Sequence, residues 1–375
     1  MLPERIEELE EKERRLREWL EKEGFEGVAF RTIGGFAWAT AGGEGWVRLS
    51  VNPSPYVAVL MGDGRKFVFA PNIERGRVME EELSGLGFEP VEFDWFEVRD
   101  DESLSRLVFG TLGNVKLASD WPLPGAEERG RDLKRLRFKF TPQEVERMRE
   151  VCKLASEAIC ESARGIRPGM TEFEIAGRMA EEALSRGLVP TVLLVAVDER
   201  IRRYRHPIPT KARLVHSAML VLCARKGGLI AAVTRFVHFG RMDEDTRQRH
   251  TSVQRILARM IVATKPGRKA CDIFSVAQRA YAEEGFEGEW RNHHQGGAIG
   301  YEEREYVATP ALEERVLSPQ AFAWNPSVPG AKAEETILVL PDGSFEVLTI
   351  CDDWPVRRVE VEGREVAVSD VLVVD

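Results

Sequence analysis

Residues 293–305 read HHQGGAIGYEERE, and the reading of this stretch decides the fold. Two adjacent histidines run into a Gly-Gly-Ala-Ile-Gly turn, and a charged segment follows. Glycine-rich loops let a ligand come close to the backbone. Imidazole is the side chain that titrates near neutrality without help. His293, His294 and Gln295 are therefore candidate contacts for a substrate. Successive residues of an extended chain face opposite ways, so one of the two histidines is expected to turn inward. Aromatic residues flank the loop region at Trp290, Tyr301 and Trp324 and are read as core before pocket wall.

Outward from this loop the chain repeats itself. IRPGMTEFEIAGRMAEEALSRG (166–187) is echoed by TKPGRKACDIFSVAQRAYAEEG (264–285). Pro168-Gly169 answers Pro266-Gly267, Ile175 answers Ile273, and Gly187 answers Gly285, each displaced by 98 residues. Loop, helix and helix-ending glycine thus occur twice. Apolar segments follow each helix: TVLLVAV and AMLVLCAR in one half, FAWNPSV and ETILVLP in the other. The expectation is a duplicated half-domain with a pseudo-twofold axis and one curved, mostly antiparallel sheet with helices outside. Thr141-Pro-Gln-Glu opens the long helix before it, with an N-cap oxygen, a proline at the first helical position and a glutamate at the third.

Before residue 139 the pattern changes. A charged amphipathic helix leads to GVAFRTIGGFAWAT, read as a short apolar strand with a glycine turn. YVAVLMG and KFVFAP form a hairpin across Gly62-Asp-Gly64, and VKLASD is a further strand. The fold class is α/β (α+β), with an α/β domain over 1–138 and a second domain over 139–375.

Together, the echo, the entry helix TPQEVERMREVCKLA and the HHQGGAIG loop resemble the pita-bread superfamily of creatinase, aminopeptidase P and prolidase. The resemblance covers about 140–350 well, and 1–138 fits the creatinase branch more loosely. It implies a site for two divalent cations built from two aspartates, a histidine and two glutamates. Thr234-Arg235 anchors the match. Val221 and Ala232 then stand at the aspartates, Gly297 at the histidine, and Asn325 and Glu334 at the glutamates. One carboxylate in five positions is too few for a dinuclear site, so no metal and no cofactor is expected.

The resemblance also marks His206, in RYRHPIPT, as the histidine that lines the substrate pocket and in creatinase shuttles the proton. His293 is the first histidine of the glycine loop. Arg304 replaces a further active-site histidine with a permanent cation. His206, His293 and Glu334 are the candidate catalytic residues. Arg235, His294, Gln295, Arg304, Asn325 and Lys332 are the candidate substrate-binding residues. The arginines preceding His206 would favour its neutral form if they point inward. Cys223 is read as a buried, inert thiol, and His216, His238 and His250 as surface or structural residues.

Composition limits the partners. The net charge is −9, with 31% charged and 43% hydrophobic residues. An acidic chain has no electrostatic reason to bind nucleic acid or an anionic membrane. Its five cysteines form no CxxC pair and suggest a reducing compartment. No apolar run approaches membrane-spanning length, so a cytoplasmic location is expected. Creatinase-type relatives imply a homodimer. The function expected is that of a metal-independent hydrolase splitting a C–N bond of a small polar molecule or short peptide. Two other readings stay open: a ligand-binding protein on a retired enzyme fold, and an Xaa-Pro metallopeptidase with ligands from elsewhere.

Overall fold

The computed structural model describes residues 2–49 and 52–375. The chain divides into two compact units, Met1–Val145 with Gly227–Leu229, and Glu146–Lys226 with Ile230–Asp375. The expected boundary at 138/139 falls a few residues earlier than this one. The difference lies in the first turn of the helix Pro142–Arg164. Glu144 is buried there and forms an ion pair at 3.0 Å with Lys12 of the first helix, Leu2–Glu23. Lys12 also pairs with Glu8 at 2.6 Å. The helix start itself is as expected, with Thr141 N donating to Glu144 Oε2 and Glu144 N donating to Thr141 Oγ1.

The first unit is built on a six-stranded mixed sheet. Its order is Glu89–Phe93, Lys66–Pro71, Val57–Met61, Gly27–Phe30, Leu117–Ser119, Glu127–Glu128. The hairpin expected between Val57–Met61 and Lys66–Pro71 is present, pairing Val59 with Phe67. GVAFRTIGGFAWAT differs from its reading. Its strand stops at Phe30, and Ile33–Ala39 is helical. Thr32 caps that helix through Gly35 N. A threonine oxygen that satisfies an orphan helical donor outweighs the strand preference of the apolar run.

In the second unit the 98-residue echo becomes geometry. The helices Glu172–Ser185 and Ala270–Glu283 carry the repeat. Gly187 and Gly285 follow them with φ of 72° and 83°, the left-handed conformation that ends a helix cheaply only at glycine. Ahead of each helix the turn is fastened the same way. Gly169 N donates to Leu214 O at 2.8 Å, and Gly267 N donates to Val316 O at 2.8 Å. Arg213 and Arg315 close the same turns onto the carbonyls of Gly169 and Gly267.

Two sheets stand where one curved sheet was expected. The first has the order Leu372–Val374, Leu229–Phe239, Ser217–Lys226, Val189–Val197. The second is antiparallel throughout, in the order Tyr306–Val307, Gly296–Ile299, Gln320–Trp324, Glu335–Val339, Phe345–Val347. A side chain bridges the seam. Thr336 Oγ1 donates to Ala232 O at 2.8 Å and accepts from Ala232 N at 3.1 Å. Backbone bonds cross the seam beside it, from Ile230 N to Gly300 O at 2.8 Å and from Thr234 N to Glu334 O at 3.4 Å. Around it the core is apolar, from Ile256, Leu257 and Ile261 to Phe322, Trp324 and Ile337. Trp324 is fully buried with its Nε1 on Thr264 Oγ1 at 3.0 Å, and Trp290 packs edge-on to Phe274. Among the described residues no helix is long and apolar enough to cross a membrane.

His250, on the helix Glu244–Ala263, is buried with its ring edge-on to Phe236. Burial pushes its pKa down to about 4, with Asp370 opposing and His238 and Arg357 adding to the shift. The unfolded chain takes up this proton near pH 6.5, the folded chain only near pH 4. The folded state therefore binds fewer protons in that window and loses stability as pH falls through it, by about 3 kcal/mol at the acid end. The variant His250→Leu is expected to flatten the fall of the urea midpoint between these two pH values.

Candidate functional site

The loop that carries His206 is pinned by two carboxylates, Glu172, which is buried, and Asp198, which is half-buried. Glu172 Oε1 accepts from Val197 N at 3.0 Å and from Arg200 Nε at 2.8 Å. Its Oε2 accepts from Thr210 N at 2.8 Å and Thr210 Oγ1 at 2.7 Å. Asp198, at φ 49°, accepts from the amides of Val215, His216 and Ser217, each at 2.8 Å. Sequence reasoning passed over both acids, because a carboxylate fastening distant amides has no local signature. Glu172→Ala strands buried donors at about 1–3 kcal/mol each. It is expected to abolish the hydrogen-exchange protection of the Val197 and Thr210 amides.

The pinned loop sets His206 against the glycine loop. His206 Nε2 lies 3.1 Å from His293 Nε2, and His293 Nδ1 lies 3.2 Å from Ser327 Oγ. Ring centroids are 4.9 Å apart for His206–His293, 5.7 Å for His206–His294 and 4.6 Å for His293–His294. One nitrogen from each ring falls within 4.8 Å of the other two. Both loop histidines thus reach His206, where alternation allowed only one. The physical reason is that 293–294 precede the pleat. His293 ends the short 3-10 helix Glu289–Asn292, and the strand begins only at Gly296. Ser327, the partner of His293, was missed; it stands two residues beyond Asn325 in FAWNPSV.

All three imidazoles are held toward the neutral form. For His293 the pKa falls to about 2, through burial first and then Lys332, His294 and His206. For His294 it falls to about 4, through burial and then Arg304. His206 shifts the same way, through burial and then Lys332. The arginines beside His206 in sequence have other partners. Arg200 pairs with Glu172, Arg202 with Asp245, Arg203 with Glu199 and Arg205 with Glu289.

Glu334 is buried beside this cluster. Lys332 Nζ lies 2.8 Å from its Oε2, Arg304 Nη2 lies 3.1 Å from its Oε1, and Thr234 Oγ1 donates to Oε2 at 2.7 Å. Burial opposes ionisation, but Lys332 and Arg304 outweigh it and hold the carboxyl well below the usual range. Two cations against one carboxylate leave a surplus positive charge. Cys223 is buried, and its thiol is pushed up to about 12, chiefly by burial.

Two of the expected substrate contacts are corrected. Arg235 is fully buried, donating to Thr234 O and Thr349 O and pairing with Glu335 at 3.3 Å. Thr234 meets Glu334 while Arg235 meets Glu335, so the period of two along the strand sends Arg235 to the opposite face. Gln295 is fully buried. Its Nε2 donates to Trp290 O at 3.2 Å and His293 O at 2.6 Å, and its Oε1 accepts from Tyr281 at 2.8 Å. Those bonds brace the loop and leave the side chain no freedom to meet a substrate. Asn325 is buried, with its backbone N–H donating to Gln295 O at 3.1 Å and its side-chain Oδ1 without a hydrogen-bond partner among the described residues.

The profile of metallopeptidase family M24 matches residues 146–341, more than half of the chain. The chain belongs to metallopeptidase family M24. An uncharacterised peptidase of Staphylococcus saprophyticus is 23% identical to the M24 chain, with 76% of this chain and 85% of the relative covered. The Xaa-Pro dipeptidase of Pyrococcus furiosus is 24% identical over 56% of this chain and 63% of its own. In three dimensions the prolidase from Pyrococcus horikoshii OT3 has a TM-score of 0.75 at 19% identity, covering 91% of this chain and 99% of its own. The Xaa-Pro dipeptidase from Bacillus anthracis has a TM-score of 0.75 at 17% identity, covering 98% and 100%. The pita-bread fold expected from the sequence is therefore the fold of this M24 chain.

The five positions that the sequence resemblance assigns to metal ligands have the following surroundings. Val221 and Ala232 are buried alkyl side chains without a lone pair. Gly297 pairs with Val307 in the antiparallel ladder. A Cβ there would overlap the Tyr306 carbonyl oxygen and sit 3.0 Å from Tyr306 C and 3.1 Å from Ala308 N. No side chain enters at this position without displacing backbone. Asn325 offers a neutral carbonyl, and Glu334 already binds two cationic side chains.

Proposed function

We propose that the chain hydrolyses a C–N bond, an amide or amidine, in a small polar molecule or short peptide, without the paired cations of its family. The observation that carries this reading is the donor set. At the positions that the resemblance assigns to the ligands, Val221, Ala232, Gly297 and Asn325 supply neither carboxylate nor imidazole, and Glu334 is paired with Lys332 and Arg304. Two divalent ions need several carboxylates between them, and these residues do not fit that group.

Proton movement then falls to imidazole. His206, neutral and at the edge of the cluster, takes the proton from the attacking water and returns it to the leaving nitrogen. The Nε2–Nε2 approach of His293 fixes the orientation of its ring. Glu334 keeps Lys332 and Arg304 in place, and their surplus charge holds a carboxylate or similar anionic end of the substrate. Stabilisation of the developing oxyanion comes from fixed donors of the same kind.

The test is a panel of Xaa-Pro dipeptides, N-acyl amino acids and guanidino acids, incubated in excess EDTA and followed by mass spectrometry. Product formation in EDTA supports the reading. Turnover restored only by manganese or cobalt overturns it in favour of the family's own chemistry. Tight capture of one compound without product overturns it in favour of a binding protein.

A further inference from the structure

The histidine cluster has a second chemical capacity, separate from the carboxylate positions of the family. We propose that His206, His293 and His294 form a binding site for a single late first-row divalent cation, zinc being the first choice. Three observations carry it. One nitrogen from each of the three rings lies within 4.8 Å of the other two. Nitrogen ligands about 2.1 Å from a tetrahedral zinc stand roughly 3.4 Å apart. The 3.1 Å between His206 Nε2 and His293 Nε2 is already close to that spacing. The His294 nitrogen lies within 4.8 Å of the other two and closes on them when the cation binds.

The second observation is a missing partner. His294 Nδ1 is buried and has no hydrogen-bond partner among the described residues. A buried polar atom left unpaired costs about 1–3 kcal/mol, and a cation held at that nitrogen removes the cost. The third is the support behind His293. Ser327 Oγ at 3.2 Å is placed to accept from Nδ1–H. That bond leaves Nε2 with its lone pair aimed at His206. A ligating histidine is commonly oriented by such a bond to its other nitrogen. Burial and the neighbouring cations keep the three rings neutral, the form that coordinates.

The charges around the cluster choose what completes the site. Lys332 and Arg304 face it with one carboxylate, Glu334, between them. The surplus positive charge weakens cation binding and demands an anion in the remaining coordination position. A substrate-like carboxylate or phosphate suits that position. Imidazole donors without thiolate or further carboxylate select zinc, copper or nickel over calcium, magnesium or manganese. The consequence for turnover rests on the reading above. A cation bound at His206 Nε2 displaces the proton there, and with Nδ1 then protonated neither nitrogen is free to act as the base, so this member of a metal-activated family is inhibited by zinc.

The experiment uses the full chain, stripped with EDTA and dialysed. Zinc is titrated by calorimetry, and cobalt is substituted for its visible spectrum. The expected result is one ion per chain, a tetrahedral cobalt spectrum, and at least a tenfold loss of affinity in both His294→Ala and His294→Gln. His216→Ala, an exposed histidine outside the cluster, leaves affinity unchanged. Circular dichroism and melting of each variant establish that it is folded. Two ions per chain, an octahedral spectrum, or unchanged affinity in folded His294 variants overturns the site. The activity arm is read separately. Zinc that binds at one equivalent and leaves turnover intact supports the site and removes His206 as the base. Turnover lost in step with occupancy supports both.

Discussion

Replacing His206 with alanine is expected to lower kcat/KM by about a hundredfold to ten-thousandfold, the usual contribution of a positioned acid or base. The loss should fall on kcat with KM nearly unchanged, because the proposed reading assigns the anionic end of the substrate to Lys332 and Arg304 and not to the imidazole. The side chain is exposed at the loop surface, and its loop is tied down by Glu172 and Asp198 through backbone amides. The variant therefore keeps its fold, and melting should change little. Steady-state kinetics on whichever amide the EDTA screen identifies is the measurement. Full turnover by the folded variant removes His206 from the chemistry.

The second large effect is expected from placing at position 297 the histidine that the resemblance assigns there. Gly297→His should neither bind a metal pair nor leave the fold intact. A Cβ at this position overlaps the carbonyl of Tyr306 and crowds Ala308 N at 3.1 Å. The neighbouring strand Tyr306–Val307 is hydrogen-bonded into the space that a side chain needs. Overpacking against backbone, which cannot rotate away as a side chain can, is expected to cost about 4 kcal/mol or more. Urea unfolding measures it. A stable Gly297→His protein that acquires two tightly bound ions would mean that the missing donor alone separates this chain from its metal-dependent relatives. The closed strand gives the opposite expectation: the loop and its neighbour have adapted to glycine.

Much of the fold was legible because it is written in local chemistry. The 98-residue echo placed the helices Glu172–Ser185 and Ala270–Glu283 and their terminal glycines. The Thr-Pro-Gln-Glu start placed the helix Pro142–Arg164. The misreading of 33–39 as extended came from apolar content alone, which does not separate a buried strand from a buried helix turn. Arg235 and Gln295 were assigned to the substrate for want of a third dimension. One faces the far side of its strand, and the other is consumed by hydrogen bonds to Trp290, His293 and Tyr281. Glu172, Asp198 and Ser327 escaped notice because their partners lie remote in sequence, two to four tens of residues away.

The chain's text determined which donors exist: where carboxylates are missing, where histidines remain, and which loop and helix recur. Composition and spacing carry that information, because lone pairs, caps and periodicity belong to residues and their near neighbours. Only the tertiary structure decided that His206, His293 and His294 converge, that Glu334 is shared by two cations, and that no side chain fits at Gly297. Those facts depend on backbone segments 30 to 100 residues apart being fixed within a few ångströms, and no local pattern encodes a distance of that kind.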